Sequence, residues 1–240
     1  MKHFALITGA SGGIGKCIAT KLAEKGYSLY LHYNKNGKAV DGLLKELEKL
    51  GGEYIPVQAD LASKDGYKVL ASQVFDLDAI IHNAGHSVSG LLEDLDEDEA
   101  EKLIQVHVTS PLLLTKLLVP KLIRKKSGAI VTVSSIWGET GASCEIAYSM
   151  VKGAQISFVK ALSKELAPSG IRVNAVAPGA VSTSMMAGFS LEELSQISED
   201  IPLGRLGLPE EVADGVEFLL SNRASYITGH ILSINGGWHM

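Results

Sequence analysis

The sequence predicts an α/β protein: one Rossmann-like domain spanning residues 1–240, doubly wound, with helices on both faces of a seven-stranded parallel sheet. Three observations predict this fold. The chain of 240 residues, 46% of them hydrophobic, is long enough for one large core and too short for two. Short apolar runs alternate with helical segments. A glycine-rich turn lies between the first apolar run and the first helix.

The predicted strands are seven short apolar runs, and most of the segments between them have the apolar period of a helix. Strands that alternate with helices pair in parallel, so we expect one sheet whose ligand site lies at the carboxyl ends of its strands. The seven runs are residues 4–7, 29–33, 54–57, 79–81, 129–133, 173–177 and 231–234.

Residues 6–15, Leu-Ile-Thr-Gly-Ala-Ser-Gly-Gly-Ile-Gly, have the composition of a phosphate-binding loop. The glycines let the backbone turn tightly and let a pyrophosphate approach it, and the free N–H groups of the helix predicted over residues 13–25 attract the anion. Because the loop lies between a strand and a helix, it predicts a nicotinamide dinucleotide site rather than an ordinary turn. The residues expected to contact the cofactor here are Gly9, Ser11, Gly13, Ile14 and Gly15.

The residues after the second strand bear on which nicotinamide cofactor is bound. An NAD-binding domain usually places an acidic residue about 20 residues beyond the glycines, and this chain has none there. Tyr33, Asn34 and Lys35 would instead accommodate a 2′-phosphate, so NADP(H) is favoured over NAD(H). For Lys35, a plain polar turn is the alternative.

The ends of the third and fourth strands are expected at the same edge of the sheet. Asp60, beside Leu61, can accept a hydrogen bond from the adenine amino group or else cap the next helix. The small residues Ala84 and Gly85 let the backbone approach the cofactor ribose. Asn83 is expected to hold the neighbouring strand ends by hydrogen bonds.

The candidate chemistry follows the fifth strand. Ser135 lies at its carboxyl end, and Tyr148 and Lys152 share one face of a predicted helix at i and i+4. A neighbouring ammonium is expected to lower the pKa of Tyr148 and make the phenol a usable general acid or base. Ser135 is expected to hold the reacting oxygen while the nicotinamide supplies hydride. Tyr-x-x-x-Lys alone is weak evidence, and only its combination with the glycine loop and Ser135 is specific.

Charge and composition argue against several other classes of protein. The net charge of -5 argues against a general nucleic-acid binder. The only i, i+4 histidine pair, His82 and His86, spans Asn-Ala-Gly, so we predict no metal site. Two distant cysteines, Cys17 and Cys144, fit a reducing compartment. With no apolar run near the length of a membrane span and no signal peptide, we expect a cytoplasmic protein with no membrane partner.

A run of carboxylates over residues 93–101 superficially suggests a metal or basic-partner site. Asp96 and Glu99 form a capping pair, so this run instead predicts the start of a helix. The helix is predicted to run to about Arg124 with a bend at Pro111. The basic residues 124–126 at its far end are typical of a solvated helix terminus.

Besides the glycine loop, Asn83-Ala84-Gly85, Ser135 and the Tyr148/Lys152 pair, the chain contains Pro178-Gly179 and ends with Asn235-Gly236-Gly237 followed by three residues. In this combination the whole chain resembles the short-chain dehydrogenase/reductase family. Residues 201–213 and the tail from Ile227 are most similar to its 3-oxoacyl-acyl-carrier-protein reductases. The resemblance implies that Lys152 also holds the nicotinamide ribose and that the protein is a homotetramer. It further implies that residues 178–183 wrap the nicotinamide, with contacts from Pro178, Gly179, Val181 and Thr183.

The chain departs from the family in its long helix, where relatives use an Asn in a proton relay through water behind the Lys. His107 stands in this stretch and either replaces the Asn as a catalytic residue or only packs the helix. Residues 184–204 lie where relatives have a mobile lid, and the methionines and phenylalanine there either line an apolar cleft or pack down. Lys126 fits the basic pattern of relatives that dock acyl carrier protein, whereas Ser169 does not.

Taken together, the residues and the resemblance predict an NADPH-dependent reductase of a ketone to a secondary alcohol. The expected substrate is a 3-oxoacyl thioester, either a small molecule or carried by acyl carrier protein. One alternative is a ketone borne by a protein side chain, as in the similar reductases that finish the elongation factor P lysine modification. Another, from a different class, is a cofactor-binding regulator that has lost catalysis.

Overall fold

The computed structural model describes residues 3–240, and their strands form one sheet. The strands are β1 (His3–Ile7), β2 (Tyr27–Tyr33), β3 (Tyr54–Gln58), β4 (Ala79–His82), β5 (Gly128–Val133), β6 (Ile171–Pro178) and β7 (Ile231–Ile234). Their order is β3-β2-β1-β4-β5-β6-β7 and every pairing is parallel. The predicted doubly wound, seven-stranded sheet is confirmed.

Helices cover both faces of the sheet. They are α1 (Gly13–Glu24), α2 (Gly37–Leu47), α3 (Gly66–Ser72), α4 (Glu97–Ile104), α5 (Ser110–Lys125), α6 (Trp137–Thr140), α7 (Ile146–Leu166), α8 (Leu191–Asp200) and α9 (Pro209–Leu220). One core cluster joins α1, α2 and α9 to the sheet, and a second joins α3, α5 and α7 to its other face.

Strand β1 shows why continuous apolar runs suit this sheet. Ala5 and Ile7 belong to the first core cluster and Leu6 to the second, and all three are fully buried. Successive side chains of a strand point to opposite faces, so a sheet covered on both sides needs an apolar residue at every position. The alternation of short apolar strands and amphipathic helices therefore determines the layers.

The long helix begins where the carboxylate run predicts and is interrupted near the predicted bend. Asp96 Oδ1 accepts from the Glu99 N–H at 2.9 Å, which confirms the cap. A π-helical turn, Gln105–Thr109, separates α4 from α5 immediately before Pro111. Pro111 has no N–H to give to the carbonyl four residues earlier, that of His107. This carbonyl instead accepts from Gln155 Nε2 of α7 at 2.9 Å.

The same helical run bears on the expectation that no segment approaches a membrane span. By length and composition alone, Glu97–Lys125 is apolar enough to cross a membrane, so that expectation does not hold for this run. In the folded chain its residues Leu114, Leu118 and Leu122 are buried in the second core cluster. The apolar character of the run is used for packing against the sheet.

Candidate active site

A cleft of about 1010 Å³ lies at the carboxyl ends of the strands, where the predicted ligand site should be. Nearly all the sequence-predicted site residues line it. These are Gly9, Ser11, Gly13, Ile14, Gly15, Asn34, Asp60, Leu61, Asn83, Ala84, Gly85, His107, Ser135, Tyr148, Lys152, Pro178, Gly179, Val181 and Thr183. Residues far apart in the chain are therefore brought to one cavity by the sheet.

Two predicted cofactor residues, Tyr33 and Lys35, do not line the cleft. The Tyr33 ring packs against Gly37 and the first core cluster, and Lys35 is exposed. Tyr33 is the last residue of β2 and lies on the sheet face that α1, α2 and α9 cover, so its ring is used for packing rather than for a phosphate. Of the three residues predicted to accommodate a 2′-phosphate, Asn34 alone reaches the cavity.

Asp60 lies at the same end of the cleft. Its Oδ1 accepts from the Ala62 N–H at 3.0 Å and from Asn34 Nδ2 at 3.2 Å. The N-cap position of α3 is Asp65, so the alternative that Asp60 caps this helix does not hold. The carboxylate is left at the edge of the cavity, as the adenine interpretation requires.

The turn between β1 and α1 fits a pyrophosphate. Gly12, at the N-cap of α1, provides no side-chain cap, and the first turn carries no acidic residue, so the helix presents unpaired N–H groups. A Cβ on Gly15 would lie 2.8 Å from Asn83 Nδ2 and closer still to the Gly9 carbonyl oxygen. Position 15 therefore has no room for a side chain, and Gly9, Gly13 and Gly15 line the cleft.

Asn83 holds this loop against β4, which confirms the expected role. Its Nδ2 donates to the carbonyls of Thr8, at 3.0 Å, and Gly9, at 3.1 Å. In return, Thr8 Oγ1 accepts from the N–H groups of Asn83, at 2.9 Å, and Ala84, at 3.0 Å. Four hydrogen bonds join the ends of two adjacent strands beneath the cofactor position.

His32 is a second support of the loop, and the sequence analysis missed it. Its Nδ1 accepts from the Gly9 N–H at 3.1 Å, so Nε2 carries the proton and donates to the Ala59 carbonyl at 3.0 Å. Burial lowers the pKa of His32 to about 4, so the ring is neutral at neutral pH. The available signal was an imidazole inside an otherwise apolar strand.

At the other end of the cleft, Ser135, Tyr148 and Lys152 lie together. The Tyr148 hydroxyl hydrogen-bonds with Ser135, which follows β5. Lys152, one turn along α7, places Nζ 5.3 Å from the centre of the Tyr148 ring. Nζ donates to the carbonyl of Val133 at 2.9 Å and to Gln155 Oε1 at 3.3 Å. The geometry predicted from the Tyr-x-x-x-Lys spacing is present.

The expectation that Lys152 lowers the pKa of Tyr148 is wrong for the chain alone. Burial of the phenol raises the pKa of Tyr148 well above its usual range, Glu145 raises it further, and the hydrogen bond with Ser135 opposes them. Burial also lowers the pKa of Lys152 to about 7, which weakens the ammonium on which the expectation relied. Tyr148 is therefore a neutral phenol at neutral pH and is suited to donate a proton.

His107 lies beside Tyr148 but forms no hydrogen bond with Tyr148 or Lys152 through its side chain. Its ring meets the Tyr148 ring edge-on, with centroids 5.8 Å apart, and Nε2 contacts the backbone of His86. Nδ1 is buried without a hydrogen-bond partner in the part of the chain described. A Cβ on Gly85 would collide with this ring, so Gly85 is needed for His107 to fit.

Gln155 links His107 to Lys152, and the sequence analysis did not identify it. Its amide is buried, accepts from Lys152 Nζ through Oε1, and donates through Nε2 to the His107 carbonyl. Lys152 is therefore linked to the long helix through Gln155 and the main-chain carbonyl of His107, and the His107 imidazole takes no part in this link. A Gln three residues beyond Lys152, on a helix face otherwise made of apolar residues, was the signal.

The segment over residues 184–204 supplies one wall of the cleft. Met185, Met186 and Phe189 line it, and Met185 and Phe189 are about half exposed. Ser190 and Glu193 form a capping box that starts α8. Of the two alternatives for these apolar residues, lining the cleft is the one observed. Lys126, by contrast, lies just before β5, at the sheet edge opposite the cleft, so within one chain it is not beside the site.

Comparison with known proteins agrees with this geometry. Residues 9–239 match a protein-family model described as enoyl-(acyl carrier protein) reductase. The chain is 58% identical over its full length to YmfI, an uncharacterised oxidoreductase of Bacillus subtilis (strain 168), all of which is covered. It is 35% identical over its full length to the 3-oxoacyl-[acyl-carrier-protein] reductase FabG of Staphylococcus aureus, covering 99% of that protein.

Two solved structures show the same architecture with a dinucleotide bound. One, from Beutenbergia cavernae, is provisionally assigned as an NAD(P)-dependent gluconate 5-dehydrogenase and holds NADP at low occupancy. It has a TM-score of 0.93 and 30% identity, covering 98% of this chain and 96% of that one. The other is the angucycline C-6 ketoreductase LanV with NADP, with a TM-score of 0.92 and 28% identity, covering 98% and 95%. The chain belongs to the short-chain dehydrogenase/reductase family and is an NAD(P)-dependent oxidoreductase.

Proposed function

We propose that this protein is an NADPH-dependent reductase that converts a ketone into a secondary alcohol. The observation that carries the proposal is the convergence of Ser135, Tyr148 and Lys152 in one cleft with the uncapped start of α1. An uncharged phenol beside a carbonyl-orienting hydroxyl suits protonation of an oxygen that is gaining electrons. The bound NADP of the two structural relatives supports the choice of cofactor.

Ser135, Tyr148 and Lys152, at the end of the cleft opposite the glycine loop, each have a role in this reaction. When bound, the nicotinamide supplies a hydride to the carbonyl carbon. Ser135 donates a hydrogen bond that orients the carbonyl oxygen, and Tyr148 passes its hydroxyl proton to that oxygen and becomes a phenolate. An alkoxide is a far stronger base than a phenolate, so this transfer is favourable even though the pKa of Tyr148 is raised. Lys152 then stabilises the phenolate with its ammonium form.

The preference for NADPH rests on the end of β2. Asn34 lines the cleft there, Lys35 is exposed beside it, and no carboxylate belongs to the turn itself. Asp60, an acidic residue that follows β3, accepts a hydrogen bond from Asn34. The test is the ratio of kcat/KM for NADPH and NADH with one ketone, and a ratio below one would contradict the preference.

We propose 3-oxoacyl thioesters as the first substrates to test, either free or on acyl carrier protein. The full-length similarity to FabG and the apolar wall formed by Met185, Met186 and Phe189 support this choice. Purified protein is incubated with NADPH and a panel of acetoacetyl thioesters and simple ketones, and NADPH oxidation is followed by absorbance. No oxidation with any of them would overturn the proposed reaction.

The charge of the cleft favours a second candidate, a ketone carried on a protein side chain. Among the cleft-lining residues of the described chain, Lys152 is the only Lys or Arg, whereas Glu145 and Glu193 also line it. Acyl carrier protein is acidic, and this lining offers it no free cation. Reduction adds two hydrogens, so the intact mass of the modified elongation factor from cells with and without this protein separates the two candidates.

A catalytically inactive regulator is the remaining alternative from the sequence. It would bind NADPH tightly, turn over no ketone, and behave identically after Tyr148→Phe. The intact catalytic trio supports an enzyme instead.

We further propose a cytoplasmic homotetramer. Exposed apolar side chains on α5 and α7 support self-association, among them Leu112, Leu117, Ile146 and Met150. Sedimentation velocity of the purified protein measures the oligomeric state, and a monomer would contradict the proposal.

A further inference from the structure

Glu145 is a cleft residue whose side chain the proposed reaction does not use. It occupies the N-cap position of α7, three residues before Tyr148, and is half-buried in the cleft wall. Its backbone is engaged, because its carbonyl accepts from the Ser149 N–H at 2.8 Å. Its side chain caps nothing.

The carboxylate of Glu145 has no partner among residues 3–240. No hydrogen bond or ion pair compensates its burial, and burial alone raises its pKa. Other carboxylates near the cleft are occupied: Glu193 accepts from Ser190 in a capping box, and Glu211 pairs with Arg205. A partly desolvated carboxylate without a partner is unfavourable, and the positive end of the α7 dipole offsets this only in part, so the group would gain from a cationic ligand.

Glu145 also opposes the proposed chemistry when it stands alone. Its negative charge raises the pKa of Tyr148, which disfavours the phenolate left after proton transfer. A positive charge placed against Glu145 would remove both penalties, the uncompensated burial and the repulsion of the phenolate. A cation bound beside Glu145 would therefore stabilise both the Glu145 carboxylate and the Tyr148 phenolate.

Among residues 3–240, no Lys, Arg or His side chain of the cleft, His86 included, forms an ion pair with Glu145. Lys152 Nζ donates to the Val133 carbonyl and to Gln155 Oε1 and forms no ion pair with Glu145. His107 is kept neutral because burial and the charge of Lys152 lower its pKa well below the usual value. A positive charge carried by the substrate would supply the missing partner.

We infer that the physiological ketone carries a cationic group, such as an ammonium, that is held by the carboxylate of Glu145 while the carbonyl lies on Ser135 and Tyr148. Residues three apart on a helix have Cβ atoms about 5–6 Å apart, so a short chain would join the two groups. The inference rests on the proposed reductase function and names its substrate class. It disfavours substrates whose anionic carrier group lies next to the carbonyl.

The test uses pairs of ketones of nearly the same shape, one cationic and one neutral. In 5-(trimethylammonio)pentan-2-one three methylene groups separate the cation from the carbonyl, which keeps its inductive effect on the carbonyl small; 6,6-dimethylheptan-2-one is the neutral partner, and homologues with longer spacers extend the series. We expect kcat/KM to be about 10-fold higher for the cationic member at the best spacer length. Glu145→Gln should bring this ratio close to one and should speed reduction of the neutral ketone, because the pKa of Tyr148 falls.

Glu139→Gln is the matched control. Glu139 is an exposed carboxylate of α6 that accepts from Ser233 at 3.3 Å and does not line the cleft. The same loss of charge there should leave the preference for the cationic ketone intact. Equal kcat/KM for the paired ketones in the unmodified protein, or a preference that survives Glu145→Gln, would overturn the inference.

A binding measurement separates this inference from the reductase function itself. Calorimetry with NADPH-loaded Tyr148→Phe protein compares the paired ketones without turnover. Tighter binding of the cationic ketone that is lost on adding Glu145→Gln supports the inference, and equal binding of the pair overturns it. Failure to reduce any ketone, in contrast, overturns the proposed function, whatever the binding preference.

Discussion

The two ends of the cleft are built by different means. At the glycine-loop end, backbone groups make the site: a tight turn and the free N–H groups of α1, held in place by Asn83 and His32. At the catalytic end, buried and partly buried side chains make it, and desolvation shifts the pKa values of Tyr148 and Lys152. Backbone dipoles do not titrate, whereas these side chains do. Changes at the first end should therefore affect binding, and changes at the second should affect turnover and its pH dependence.

The largest effect should come from Tyr148→Phe. Removing the proton donor should lower kcat for ketone reduction by about 10³-fold, within the range for a lost general acid. The Kd of NADPH should change by no more than about threefold, because the glycine-loop end is untouched. Steady-state kinetics and fluorescence titration of NADPH measure the two quantities. Normal turnover in this variant would remove Tyr148 from the mechanism.

Gly15→Ala should have the next largest effect, and on the opposite quantity. The new Cβ would meet the Gly9 carbonyl and Asn83 Nδ2, so the loop must shift at a cost of about 1–3 kcal/mol. The Kd of NADPH should rise about 10- to 100-fold. Gly42→Ala is the control, since that helical position has open space around it and should leave the Kd unchanged. Equal effects of the two variants would contradict the account of the loop.

Stability should fall in mild acid because buried histidines must stay neutral in the folded chain. Burial lowers the pKa values of His32 and His82 to about 4, whereas the unfolded values lie near 6.5. The unfolded state thus binds more protons below about pH 6.5, and stability declines as the pH falls towards 4. At about pH 5 each histidine should lower the free energy of unfolding by about 2 kcal/mol. Urea unfolding at about pH 7.5 and 5 measures this, and His32→Gln should reduce the difference.

The smallest effect concerns Gln155, which positions Lys152. Gln155→Leu removes an acceptor from the ammonium, so the pKa of Lys152 should fall and kcat/KM should drop about 10-fold, consistent with one hydrogen bond to a charged group. The alkaline limb of the pH profile for ketone reduction should move to lower pH. Gln155→Glu should move it to higher pH, because a carboxylate favours the ammonium. A uniform loss of rate with an unshifted profile would indicate that Gln155 only packs.

The sequence was most informative where the position of a site residue depends only on the residues next to it in the chain. The glycine spacing of the loop and the i, i+4 spacing of Tyr148 and Lys152 are properties of short segments, and both were placed correctly. It was least informative about which side chains form hydrogen bonds or pack with each other. His32 and Gln155 were missed because their hydrogen bonds join residues 23 and 48 positions apart in the chain. Tyr33 was assigned to the cofactor because its packing against Gly37 is invisible without coordinates.

By itself the sequence determined the layers of this protein, since a sheet buried on both faces requires apolar strands and one-sided helices. It also determined that a phenol and an amine share a face of α7, because a helix repeats every 3.6 residues. Only the tertiary structure decided how those groups behave. The depth of burial set the direction in which the pKa values of Tyr148 and Lys152 move. The packing of α7 against β6 and the long helix brings no partner to the Glu145 carboxylate among residues 3–240. Desolvation and pairing depend on every neighbouring element, and no short segment contains them.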